Sequence, residues 1–338
     1  MLRRCLTAAA VMFLMADAAR SQDTVTPVSG APLLGEVTAV TRQEVTLKQG
    51  AATKSLPVRE VRFIFFQGEP TMLRTARTAV QAGRFEDALQ ALMKIDVAQI
   101  QRKPIVQDVE FYKGYCQARL AMLAGGDVQR AFQDLYNFAR ANPDSYHFFE
   151  VCEVIGDLLV SAGKAAESRP FYEQVVAAPW PDYKLRAGVA VGRALLAEDK
   201  PQEALTRFEQ VLAMEAQGSE ADALRAAATV GKGRSLVATG KADEGIALIQ
   251  SVISAADAEQ ADLHALAYNA LGEAYRKAGK DDDALMAYLH VDVLYFSSPR
   301  EHIEALRNLI DLWEKRQKPD RAEQARQTLR ERYKVAGI

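Results

Sequence analysis

The chain has 338 residues, a length that suits one to three domains. Hydrophobic residues make up 49% and charged residues 25%, with a formal net charge of -2. These values argue against wholesale disorder and against a dedicated nucleic-acid binder, which carries a strongly basic face. Alanine holds 57 positions beside 20 glycines and 12 prolines, a balance that suits helices packed backbone to backbone.

Residues 1–21 have the pattern of a cleaved secretory signal. Arg3 and Arg4 form a basic start, Cys5 to Met15 an apolar run, and Ala16-Asp17-Ala18 a small-residue cleavage site. The run is too short to span a bilayer, which needs about 20 apolar residues. The expectation is an exported protein, periplasmic or extracellular, with no integral membrane span. Export would permit a disulfide between Cys116 and Cys152; the alternative is two small buried thiols.

Residues 22–33 contain Thr24, Pro27, Ser29, Gly30 and Pro32 and read as a linker. Residues 34–67 alternate apolar and polar positions, as at Val45 and Leu47 and at Val61, Phe63 and Phe65. This predicts a small β module of three or four short strands, barrel-like and docked on the helical array behind it, because so small a sheet buries little core alone. Its turns fall at Thr41-Arg42-Gln43 and Gln49-Gly50.

From residue 68 to 338 the chain is helical and self-similar. Small residues recur in pairs twelve apart, at Gly156/Ser168, Gly192/Ala204, Gly233/Gly245 and Gly272/Ala284. A glycine stands five before the second member at Gly83, Gly163, Gly240 and Gly279, and Asp199 takes that place once. A large residue stands four after the second member, at Leu92, Tyr172, Phe208, Ile249 and Tyr288. Small residues let two antiparallel helices cross closely, the glycine ends the first helix, and the large residues are expected to face the next unit.

This pattern resembles the tetratricopeptide repeat (TPR) family. The fullest match is Ala267 to Val291, where Leu271, Gly272, Tyr275, Gly279, Ala284 and Tyr288 are all in phase. Units begin near residues 69, 112, 149, 185, 226, 265 and 303 and cover most of the chain. The resemblance implies a mainly α fold: a right-handed α-solenoid of about seven helical hairpins. Two departures stand out. Arg119 occupies a small-residue position in the second unit, and the loop from Ala178 to Tyr183 interrupts the array, where Trp180 is expected to pack over a repeat junction.

Catalytic signals are sparse. No zinc-type cysteine–histidine spacing occurs, and the four histidines are scattered. Gly231-Lys232-Gly233-Arg234 begins like a phosphate loop but lies inside a predicted helix with no strand before it. The expectation is a non-enzymatic chain with no cofactor and no metal.

The resemblance implies a concave groove lined by the first helix of each hairpin. Carried over, it offers Arg77, Glu150, Glu153, Asp157, Arg186, Arg193, Arg234, Asn269, Glu273 and Arg276 as the candidate site. Two arrangements stay open. Glu153 and Asp157 pair with Arg186 and Arg193 across the junction and leave nothing to bind, or Arg193, Arg234 and Asn269 form a ladder for a peptide backbone or carboxylate. The expected function is a scaffold of the cell envelope or exported space that binds a protein or peptide. The alternatives are a self-assembling homo-oligomer and a ligand site between β module and solenoid. The segment from Glu314 to Lys334, with eight Lys/Arg against four Asp/Glu, reads as a solvated cap or as a contact for an acidic partner.

Overall fold

The computed structural model describes residues 22–335; the targeting segment expected over residues 1–21 lies outside them. Five antiparallel strands come first: β1 (Asp23–Pro27), β2 (Leu33–Val40), β3 (Glu44–Gln49), β4 (Ala52–Pro57) and β5 (Val61–Phe65). Their order in the sheet is β4-β3-β2-β1-β5. The segment read as a linker therefore supplies β1. Val25 of β1 pairs with Leu33 on one side and with Ile64 on the other. The sheet has two edges, β4 and β5, instead of closing as a barrel. The two predicted turns do separate β2 from β3 and β3 from β4.

Seven helical hairpins make up the rest of the described residues. They are α1 (Thr71–Gln81) with α2 (Phe85–Met93), α3 (Lys103–Ala124) with α4 (Val128–Ala141), and α5 (Phe148–Ser161) with α6 (Ala165–Val176). Next are α7 (Pro181–Ala197) with α8 (Pro201–Leu212) and α9 (Ser219–Ala238) with α10 (Ala242–Ala255). The last are α11 (Ala261–Lys277) with α12 (Asp281–Leu294) and α13 (Pro299–Lys315) with α14 (Pro319–Tyr333). The whole is a TPR-type α-solenoid preceded by a small β-sheet.

The small residues do what their spacing predicts. A Cβ on Gly192 would stand 2.6 Å from the Phe208 ring, and one on Gly272 would stand 2.6 Å from the Tyr288 ring. So the large residue of each second helix covers the glycine of its own hairpin, which corrects the expectation that it faces only the next unit. Phe208 does both, because its ring also lies against Gly231 of α9. In the second hairpin Gly114 approaches Leu135, while Arg119 lies over the rings of Phe85 and Tyr115. Asp199 adopts φ 57°, the left-handed conformation held by glycine in the equivalent turns.

The sheet and the first hairpins share one core. Val25, Val45, Leu47, Ile64 and Phe66 join Leu73, Leu92 and Ile105 in a single buried cluster. Polar contacts fix the docking. The Asp23 carboxylate accepts from Arg102 at 2.7 Å, from the Gln67 amide at 2.7 Å and from the Val37 amide at 2.8 Å. Arg59 reaches Asp182 at 3.6 Å, and Arg42 lies 5.6 Å from the Phe148 ring centroid, so the module extends beside the fourth hairpin. Trp180 packs edge-on against Phe149 and Tyr183, as expected at a junction. Cys116 and Cys152 are buried free thiols, and burial pushes both up to about 12.

Candidate functional site

The predicted site residues divide into three groups. The first is structural. Arg77 is 2% exposed and donates to Glu69 at 2.9 Å and to Asp108. Asp108 also accepts from the Tyr146 hydroxyl at 2.8 Å and contacts the His147 Nε2 at 3.0 Å. His147 in turn stacks on Phe111 with centroids 3.7 Å apart. Arg77 therefore belongs to a sealed network beneath the sheet and not to a groove. The Arg77 and His147 charges hold the Asp108 carboxyl below its usual range despite burial, and the Asp108 hydrogen bond raises His147. Asn269 is likewise buried; it donates to the Glu301 backbone carbonyl at 2.9 Å and side chain at 3.0 Å. It fastens α11 to α13.

The second group pairs across repeats. Arg186 contacts Glu153 at 2.8 Å and Glu220 at 3.5 Å. Arg234 contacts Glu273 at 2.6 Å, and Lys277 shares that carboxylate at 2.9 Å. Arg276 donates to Asn308 at 2.6 Å and approaches Asp311 at 3.5 Å. Burial raises Glu153 to about 7, with help from Asp157 and Glu150, even against the Arg186 charge. Glu273 moves the other way, held down by Arg234 and Lys277. Glu150 is half exposed, 3.5 Å from the His147 Nδ1.

The third group is one residue. Arg193 is half-buried and has neither a hydrogen bond nor an ion pair to any described residue. The expected Asp157–Arg193 pair does not form, because Asp157 accepts from the Tyr172 hydroxyl at 2.7 Å. Burial and the charge of Arg300, on α13, push Arg193 below the usual guanidinium value. The three-rung ladder is thus dismantled: Arg234 and Asn269 are occupied, and Arg193 stands alone. Sequence reasoning missed Arg300, which lies outside the groove positions of the repeat and acts on Arg193 through its charge.

A cleft of about 700 Å³ lies at one end of the first hairpin, between the segment that joins β5 to α1 and the segment that joins α2 to α3, lined by Gln67, Met72, Lys94, Asp96 and Arg102 among others. Phe63 to Phe66 do not line it, and Phe66 is fully buried. Among the described residues no helix is long and apolar enough to cross a membrane, and no group of three acidic, histidine or cysteine side chains could hold a metal.

No protein-family model and no curated protein matches the sequence. Solved structures do match. A tetratricopeptide repeat protein from Parabacteroides merdae superposes with a TM-score of 0.52 at 14% identity, over 76% of this chain and 90% of its own. The apo form of RapI gives a TM-score of 0.45 at 11% identity, over 77% and 74%. The C-terminal part of a TPR repeat-containing protein from Cytophaga hutchinsonii gives 0.38 at 13%, over 69% and 86%. The likeness to the Parabacteroides protein and the seven hairpins agree on one conclusion: this chain has the TPR-type solenoid fold.

Proposed function

We propose that the protein is a non-enzymatic interaction scaffold of the cell envelope or exported space, which takes a protein or peptide in the concave groove of its repeats. The observation that carries this reading is Arg193. Its guanidinium is half-buried, has no partner among the described residues and stays open to water, so a bound carboxylate or carbonyl can take its donors without breaking an internal pair. The other groove cations are matched by cross-repeat carboxylates, so the frame around Arg193 is preorganised. Rigid recognition of this kind needs no bond made or broken. The exported location rests on the pattern of residues 1–21.

The test is affinity co-purification of residues 22–338 from envelope extract beside Arg193→Glu and the control Gln210→Lys, at an exposed position on the second helix of the fourth hairpin. The expected result is a defined protein retained by the parent and the control and lost from Arg193→Glu. Retention by all three overturns the groove assignment.

A further inference from the structure

We infer that the convex face of α12 is a self-association surface, on which two copies of the chain pack antiparallel about a two-fold axis near His290. Four of the eight large hydrophobic side chains left exposed among the described residues lie within eleven positions: Met286 at 56%, Val293 at 62%, Leu294 at 59% and Phe296 at 42%. Leu289 and His290 lie between them, half-buried. The inner side of the same helix is buried through Leu285, Tyr288 and Val291. An exposed run of large apolar side chains on a helix whose inner side is already buried marks an interaction surface.

The repeat itself shows that the fold does not require this. Counted from the small residue that faces the first helix, Met286 stands where Thr206 and Ala247 stand in the two preceding hairpins. Leu289-His290 replaces Glu209-Gln210 and Gln250-Ser251, and Val293 replaces Ala213 and Ser254. Those sister helices pack equally well with polar or small outer faces. The apolar stripe is particular to α12.

The charges at its ends identify the occupant. Asp283, at the start of the stripe, is exposed and pairs with no described residue. At the far end Arg332 lies 4.9 Å from the Phe296 centroid and has no carboxylate partner among the described residues. A stripe acidic at one end and basic at the other is complementary to its own reversed image, the condition for an isologous contact. The register closes as well. With the axis between positions 289 and 290, Met286 meets Val293 of the second copy, and Asp283 meets the Phe296–Arg332 end. At 1.5 Å per residue the helical part of the stripe, from Asp283 to Leu294, is about 17 Å long. One helix pair buries less than the roughly 1,200 Å² of a standard interface, so the dimer is weak and concentration-dependent. The inference is independent of the groove.

The experiment is sedimentation velocity of residues 22–338 across a broad concentration range, with circular dichroism to confirm folding. The parent is expected to move from monomer towards dimer, and Val293→Glu to stay monomeric. Asp283→Arg and Arg332→Asp are each expected to weaken the dimer about tenfold, and the double reversal to restore it. A parent that stays monomeric throughout overturns the proposal. So does a dimer that survives Val293→Glu, or a double reversal no tighter than its single parents. A different protein that binds the parent and is lost with Val293→Glu, while the parent stays monomeric, assigns the face to that partner instead.

Discussion

The Phe208 ring fills the space above Gly192 in its own hairpin and above Gly231 in the next. One aromatic side chain, fully buried, thereby sets both the crossing within a hairpin and the stacking between hairpins. Methyl groups at these glycines have no room. Gly231→Ala is expected to destabilise the protein by about 1–3 kcal/mol through overpacking. The check is urea unfolding followed by circular dichroism.

Arg77 and Arg193 make opposite predictions, although the repeat pattern places both in one groove. Arg77→Met removes the buried cation shared by Glu69 and Asp108 and leaves them only Arg74 and His147, at a cost of about 3 kcal/mol. Arg193→Met breaks no internal pair and is expected to change stability by less than about 0.5 kcal/mol. Thermal unfolding of the two variants distinguishes a structural cation from a binding one.

Stability is expected to fall as pH rises from 5 to 8. Glu153 has a folded value of about 7 against an ordinary 4.5, so the folded state holds its proton more tightly and loses that advantage as pH passes through this window. His147 is raised as well; its contribution is complete below its ordinary 6.5 and fades above it. Below about pH 4 the sign reverses, because Asp108, Asp23 and Glu273 are held low and must take up protons. Melting temperatures of the parent and Glu153→Gln check this: the variant's decline between pH 5 and 8 should be shallower.

Asp199 occupies a left-handed turn position held by Gly83, Gly163, Gly240 and Gly279 in four sister repeats and by Gln317 in the last. Asp199→Gly is expected to stabilise the fourth hairpin by about 0.5–1 kcal/mol, while Gly240→Ala costs about 1 kcal/mol. Both appear as shifts in the urea midpoint.

Cys116 and Cys152 are buried and their thiols are pushed up to about 12, so little thiolate forms near neutral pH. Neither is expected to react with Ellman's reagent in the folded protein, and both should titrate fully in urea. A disulfide detected by mass spectrometry in the oxidised protein would contradict the packing.

The repeat is legible in the sequence because its cause is local. Small residues twelve apart, a glycine in the turn and a large residue four beyond arise from the sterics of one helical hairpin, and each hairpin states them again. The strand at Asp23–Pro27 is not legible. Its Pro and Ser neighbours look like a linker, and its partner β5 lies some forty residues further on, a pairing that no local pattern reveals. The place of Trp180 can be read because a bulky residue in an interrupting loop has one dry place to go.

The candidate site divides along the same line. The amino-acid pattern alone establishes an array of seven hairpins and the residue types on their first helices. Folding in three dimensions then seals Arg77 and Asn269, pairs Arg186 and Arg234, and leaves Arg193 without a partner among the described residues. The reason is physical: a repeat fixes each side chain relative to its own helix, whereas ion pairs depend on the stagger and curl that accumulate between repeats.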